Sequence, residues 1–152
     1  MSVALDELRE LIYRSCVLLD CKDYDGWLAL CAPTFRYSIT AKSPEIRKDM
    51  VWLDHDRSEL ETLFANLHLH VVVPGDYRRH VGMSRETSRS NNRIKMESSV
   101  LVFHTTLEGA SSLFAIATYR DVIGADGKKA LFYAREVRME TRQLPFGPHV
   151  IL

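Results

Sequence analysis

The sequence predicts an α+β fold in which helices near the start of the chain pack on a long, curved antiparallel sheet. Two observations lead to this prediction. Early in the chain, apolar residues recur at the three- and four-residue spacing of helices, whereas later residues alternate between apolar and polar. The later runs are separated by short stretches rich in Asn, Ser, Gly and Asp, which are typical of hairpin turns. The 152 residues fit one domain, and we expect a single domain over residues 1–152.

Three helices and one short strand are expected in the first part of the chain. The spacing of apolar residues predicts a first helix over residues 3–20 and a second, shorter helix over 22–30. Residues 35–40 alternate between large apolar and polar side chains, as strands do. A third helix is predicted over 57–66, with Asp56 in position to cap its first turn.

Four strands are expected in the rest of the chain. They are predicted over residues 78–88, 94–106, 113–123 and 130–144. The turn residues that separate the last three runs predict a meander, in which consecutive strands pair with each other. The helices are then expected to cover one face of this sheet.

The later strands are apolar on both faces, although a sheet with helices on one side needs only one apolar face. On the strand over 94–106, Val100 and Val102 lie on one face, and Leu101 and Phe103 lie on the other. On the next strand, alternation places Phe114 and Ile116 together, opposite Leu113 and Ala115. We expect the second face to be covered by another subunit, and a net charge of zero also favours assembly.

Composition excludes several classes of protein. The chain has 20 basic and 20 acidic residues, so it lacks the positive charge with which proteins bind nucleic acid. Its longest apolar stretches are shorter than the roughly 20 residues of a membrane-spanning helix. The first residues lack the basic start of a secretory signal, and the three cysteines form no CxxC pair. We therefore expect a cytoplasmic protein with reduced thiols, no metal of its own, and neither a nucleic-acid nor a membrane partner.

Five short motifs occur in an order that is typical of one family. They are an acid-rich turn, a first strand, a second acid-rich segment, an Arg-His pair at a strand start and an apolar tail, at residues 18–28, 35–37, 52–60, 79–81 and 144–152. In these motifs the chain resembles the small (beta) subunit of aromatic-ring-hydroxylating dioxygenases. The resemblance implies a cystatin-like cone, the fold shared with nuclear transport factor 2 and with some dehydratases.

The resemblance also implies a supporting role in place of catalysis. Beta subunits of this family form a homotrimer that carries three alpha subunits, giving an α3β3 assembly. The alpha subunit holds a Rieske iron–sulfur cluster and a mononuclear iron, and the complex acts in the catabolism of aromatic compounds. We therefore expect a non-catalytic structural subunit of an oxidoreductase, with no cofactor and no catalytic residue in this chain.

Two other hypotheses stay open at this point. The cone also resembles enzymes similar to scytalone dehydratase, in which an Asp orients a His in a central cavity. On that resemblance, Asp20 with His80 and His104 would be the acid–base group of a stand-alone dehydratase or isomerase. Alternatively, the domain binds a small ligand without chemistry. His68 and His70 are expected to pack or to contact a partner in preference to binding metal.

Two groups of residues are expected at subunit interfaces. One comes from the acid-rich segment and the doubly apolar sheet, and the other from the tail at 144–152. The tail contains two prolines and a glycine but ends in apolar residues, so it is expected to dock in a groove, with the resemblance favouring a neighbouring subunit. The interface candidates are Trp52, Asp54, Asp56, Arg57, Leu101, Phe103, Phe114, Ile116, Val150, Ile151 and Leu152.

Overall fold

Helices near the start of the chain pack on one face of a six-stranded sheet. A computed structural model describes residues 3–69, 73–127, 129–147 and 151–152. Within these ranges the elements are, in chain order, α1 (Leu5–Asp20), α2 (Tyr24–Leu28), β1 (Cys31–Ser43), β2 (Lys48–Asp56), α3 (Arg57–Ala65), one 3-10 turn (Leu67–Leu69), β3 (Asp76–Ser90), β4 (Arg93–Thr105), β5 (Ser111–Asp126) and β6 (Lys129–Met139). The predicted α+β class and its three helices are confirmed.

The strands form one sheet in the order β2-β1-β6-β5-β4-β3. Strands β3 to β6 pair in sequence as antiparallel neighbours, which confirms the predicted meander. Asn91 and Asn92 have φ angles of 48° and 62°, the left-handed conformation that a two-residue hairpin turn requires. Strand β1 pairs antiparallel with β2 and parallel with β6. The sequence pattern does not predict β2, because this edge strand has no face of buried apolar residues.

The helices cover the inner face of the sheet. Helix α1 packs against β3 and β6, while α3 packs against β1 and β2. Leu8 and Ile12 of α1 are fully buried, as their spacing predicts. From α2, Trp27 places its ring edge against Phe35 and Phe64, with ring centres 5.5 and 6.0 Å away. We call the space between the helices and the inner face of the sheet the interior.

A β-bulge changes the predicted arrangement of β5. Ala115 pairs with Val102 but Leu113 pairs with Phe103, so Phe114 is an extra residue between two consecutive pairs. Strict alternation predicts Phe114 on the outer face with Ile116, and this prediction is wrong. Because the bulge breaks the alternation, Phe114 turns inward and is only 2% exposed. It is therefore a core residue and not an interface candidate.

The outer face of the sheet keeps an apolar area, as expected. Leu101, Leu113 and Ile116 are 37%, 45% and 39% exposed, and Phe103 is half-buried beside them. Leu101 is the direct cross-strand neighbour of Ile116, and Phe103 is the neighbour of Leu113. We call these four residues the apolar patch. None of the described helices covers them, and they remain candidates for a subunit contact.

The end of the tail lies inside the chain's own fold. Ile151 and Leu152 are 0% and 1% exposed and belong to the hydrophobic core. The tail does dock, but the expectation that a neighbouring subunit receives Ile151 and Leu152 is wrong, because the interior of the same chain buries their side chains. Val150, the third tail candidate, lies outside the described residues, as does part of the segment 71–77.

Candidate functional site

The interior holds a buried ion pair between neighbouring strands. Arg135 of β6 donates from Nε and Nη2 to the two carboxylate oxygens of Asp121 on β5, at 2.7 and 3.0 Å. Its Nη1 donates to the hydroxyl of Ser15 on α1 at 3.1 Å. Burial disfavours the charged guanidinium, but the charge of Asp121 outweighs it and raises the pKa of Arg135. The pair therefore ties α1 to the middle of the sheet.

Asp20 binds an arginine where the sequence suggests a histidine. Arg79 donates to the Asp20 carboxylate from Nη1 at 2.8 Å and from its backbone N–H at 3.2 Å. Arg79 points inward from β3, and its side chain is 2% exposed. The next residue, His80, points to the opposite face, where its ring lies 5.4 Å from that of Phe103. The predicted Asp20–His80 acid–base pair is therefore wrong, since consecutive strand residues face opposite ways.

Of the two histidines in the predicted acid–base group, His104 is the one on the inner face of the sheet. It is 4% exposed on the inner face of β4. Its ring lies 5.2 Å from Tyr77 and 5.0 Å from Phe146, both measured between ring centres. Among the described residues, its Nε2 has no hydrogen-bond partner. His104 thus packs among aromatic rings, and no hydrogen bond to a carboxylate in the described part of the chain orients it as a general base.

The end of the tail is held by hydrogen bonds as well as by apolar packing. Arg79 donates from Nη2 to the carbonyl oxygen of Ile151 at 3.0 Å. The Tyr37 hydroxyl donates to the backbone oxygen of Leu152 at 3.1 Å and accepts from the Leu152 backbone N–H at 2.9 Å. The tail end therefore fills part of the interior. The sequence signals only that the tail is apolar.

The acid-rich segment before α3 is largely structural. Asp56 caps α3 by accepting from the backbone of Glu59, whose side chain accepts in turn from the Asp56 backbone N–H. Arg57 donates from Nη1 to the carbonyls of Leu28 and Cys31, both at 2.6 Å, and so joins α3 to the start of β1. Asp56 and Arg57 therefore have partners within their own chain.

Two members of the acid-rich segment remain exposed. Trp52 lies on the edge strand β2 and is 37% exposed. Asp54 is exposed too and pairs with Arg36 at 2.8 Å. A surface ion pair of this kind contributes little to stability. Trp52 and Asp54 therefore stay interface candidates.

A row of charged side chains crosses the outer face of the sheet, and sequence reasoning did not single it out. Glu97 lies between Arg85 and Arg120, at 3.2 and 3.8 Å, and Arg120 reaches Glu136 at 3.5 Å. Beyond Glu136 the row continues through the Thr40 hydroxyl to Arg138 and Asp49. We call it the charge row. Most of these charges lie on predicted strands, but which of them pair with each other depends on the strand register.

The side chains that could bind a metal ion or an iron–sulfur cluster are dispersed over the described residues. Over the described ranges, no group of three or more His, Cys, Asp or Glu side chains comes together. Cys16 and Cys31 are buried, and burial raises the pKa of the Cys31 thiol to about 12. Since thiolates are the ligands of such clusters, neither buried thiol fits. His68 is exposed, and His70 lies outside the described residues.

In the part of the chain that the structure describes, no helix has both the length and the apolar character needed to cross a membrane.

Comparison with known proteins connects this fold to a family. No family model matches the chain. The chain is 32% identical over 143 residues to the beta subunit of 2-aminobenzenesulfonate 2,3-dioxygenase from an Alcaligenes species, with 94% of this chain and 95% of the relative covered. It is 37% identical over 155 residues to the hydroxylase beta subunit of methanesulfonate monooxygenase from Methylosulfonomonas methylovora, with 96% and 86% covered.

Solved structures agree on the fold. The beta subunit of benzoate 1,2-dioxygenase from Burkholderia mallei superposes with a TM-score of 0.75 at 14% identity, covering 92% of this chain and 93% of that one. The fold is thus the cystatin-like cone, here with its interior filled by the chain's own tail. Within that class, identity to both curated relatives over nearly the whole length shows that the chain belongs to the family of oxygenase beta subunits. Its function is that of a structural beta subunit in a multicomponent dioxygenase.

Proposed function

We propose that this chain supports an iron-bearing alpha subunit in an α3β3 oxygenase, in the cytoplasm, without an active site of its own. The observation that carries the proposal is full-length similarity to two proteins that are themselves beta subunits. The filled interior supports it, because the predicted acid–base pair does not form there. The Rieske cluster and the mononuclear iron would then belong to the alpha subunit, in keeping with the poor ligand set described above.

The outer face is the surface that we propose for contact between copies of this chain. Leu101 and Ile116 form the middle of the apolar patch and are exposed in the single chain. The charge row lies on the same face as the patch and alternates in sign across the sheet, so that its side chains can pair with opposite charges on another copy. An apolar centre with a polar rim is the usual anatomy of a protein interface. These features support contact between copies of this chain, which the proposed homotrimer requires.

We further propose that the complete oxygenase acts on a sulfonate. One curated relative is named for an aromatic sulfonate and the other for a one-carbon sulfonate. The two substrates share the sulfonate group and little else. The sulfonate group therefore defines the substrate class, and carbon skeletons of different size are compatible with it. The resemblance places most substrate contacts in the alpha subunit, so the sulfonate would be bound there.

The test is to express this chain together with an oxygenase alpha subunit from the same organism and to purify the complex through a tag on this chain. We expect the two chains to elute together in equal amounts, with the iron in the complex. With reductase and NAD(P)H, oxygen uptake should depend on methanesulfonate or 2-aminobenzenesulfonate and not on benzoate. Separate elution would contradict the support role. Co-elution with activity on benzoate alone would contradict only the sulfonate class.

A further inference from the structure

A cavity of about 340 Å³ lies where the end of α1 meets the start of β3. Its lining includes Leu19, Asp20, Tyr24, Leu67, Tyr77 and Arg79. Small-molecule sites in proteins usually measure about 300–1,000 Å³ and combine apolar and aromatic walls with a few polar groups. The cavity has this character and lies near the lower end of that range, so it suits a small ligand.

The two tyrosines of the lining are held in place by other aromatic rings. Tyr24 stacks on Phe64, with ring centres 4.6 Å apart and ring planes 15° from parallel. Tyr77 meets Phe114 edge-on, at 5.2 Å between ring centres. A side chain that is already fixed in this way loses little conformational entropy when a ligand packs against it. The cavity therefore offers a preorganised aromatic surface to a flat ring.

The hydroxyl groups of the same two tyrosines are available to a ligand. Neither forms a hydrogen bond with another described residue. Burial raises the pKa of both Tyr24 and Tyr77, and the positive charge of Arg79 opposes this effect in both. One guanidinium group thus acts on both hydroxyls, which indicates that the three groups converge. Both hydroxyls stay protonated at neutral pH and can donate a hydrogen bond to a ligand oxygen.

The cations of the lining already have carboxylate partners. Arg79 pairs with Asp20 at 2.8 Å, and Lys22, which also lines the cavity, pairs with Asp76 at 3.4 Å. An anion would therefore find neither the arginine nor the lysine unpaired. Asp20 can still accept, because its Oδ2 has only the backbone N–H of Arg79 as a partner among the described residues, at 3.3 Å. The cavity thus favours an uncharged ligand that donates a hydrogen bond.

We infer that this cavity binds a small phenol, which is an uncharged aromatic ring with a hydroxyl group. The ring packs against Tyr24 and Tyr77. The phenol hydroxyl donates to the Asp20 carboxylate, and a tyrosine hydroxyl donates to the phenol oxygen. This binding function goes beyond the proposed support of an alpha subunit and does not depend on it, because every group involved belongs to this chain.

The experiment is a calorimetric titration of the full-length chain with phenol. Two ligands of similar size serve as controls: anisole, which lacks the hydroxyl hydrogen, and benzoate, which is an anion at neutral pH. We expect one saturable site per chain for phenol. Loss of a hydrogen bond to a charged group corresponds to roughly tenfold or more in affinity, so anisole should bind at least about tenfold more weakly. Benzoate should also bind more weakly, because the Asp20 carboxylate repels it.

Two variants locate the site. Tyr24→Phe and Tyr77→Phe each remove one hydroxyl and keep the ring, and both should fold normally because these hydroxyls have no partner in the described part of the chain. At least one of them should weaken phenol binding by roughly three- to tenfold, which corresponds to a neutral hydrogen bond. Tyr13→Phe makes the same change on the exposed side of α1 and should bind phenol as the wild type does.

Three results would overturn the inference. The first is the absence of saturable phenol binding to the wild type. The second is binding of anisole or benzoate that is as tight as the binding of phenol. The third is an unchanged affinity for phenol in both Tyr24→Phe and Tyr77→Phe, which would place the bound phenol outside this cavity.

Discussion

The two faces of the same sheet use the same charged residue types for different purposes. On the inner face, Arg135 and Asp121 form a bidentate pair whose side chains are 1% and 0% exposed. On the outer face, Arg120 stands between Glu97 and Glu136 at 3.8 and 3.5 Å, with half of its side chain exposed. Removing one partner of a buried pair leaves an unpaired charge that water cannot solvate. On the surface, water solvates the charge that remains. The inner pair therefore fixes the fold, and the outer charge row is free to serve a partner.

The largest effect is expected from removing Ile151 and Leu152. Each buried aliphatic side chain contributes about 1.5–3 kcal/mol, so the two together contribute roughly 3–6 kcal/mol to the free energy of unfolding. Their hydrogen bonds to Tyr37 and Arg79 are lost as well. Urea denaturation of the truncated chain should show this loss in the monomer itself. If only the assembly weakened while the monomer kept its stability, the interior position of the tail end would be contradicted.

The next largest effect is expected from Asp121→Asn. This change leaves Arg135 buried without its charge partner, which typically costs about 3–5 kcal/mol. Glu97→Gln is the matched control on the outer face, since Glu97 also pairs with an arginine of the sheet but is partly exposed. Thermal unfolding should separate the two variants clearly. Similar melting temperatures for both would mean that burial does not distinguish the two faces.

The smallest effect on stability, but a large one on assembly, is expected from Ile116→Lys. Ile116 is 39% exposed, so a lysine there meets water in the monomer and an apolar surface in the trimer. Sedimentation equilibrium should show dissociation with little change in the melting temperature. Val17→Lys on α1, at 59% exposure, is the control that should leave the trimer intact. A trimer that survives Ile116→Lys would place the subunit contact elsewhere.

Local patterns in the sequence predicted most of the elements. Helix α1 follows from apolar spacing, α3 from its Asp56 cap, and the meander from alternation between turn residues. These features depend on residues that are close together in the sequence, so the sequence alone reveals them. Strand β2 was missed because an edge strand with no buried face lacks the periodic signal.

The interior could not be predicted in the same way, because it depends on contacts between distant residues. One extra residue at Phe114 reverses which side chains face inward, and nothing in the local pattern marks the bulge. Asp20 was rightly suspected of a polar partner on β3, but a shift of one residue separates Arg79 from His80. The Arg135–Asp121 pair joins two strands across a hairpin and becomes visible only with the register.

The parallel pairing of β1 with β6 has a consequence for the order of folding. Tyr37 of β1 lies 115 residues from Leu152, to which it is hydrogen-bonded, and β1 finds its inner neighbour only in the last strand. Contacts between such distant parts of a chain close long loops, which makes folding slow. The hairpins β3 to β6 are local and can form early. During synthesis, β1 and the first helices therefore cannot complete their packing until the last part of the chain has been made. Part of their apolar surface stays exposed until then.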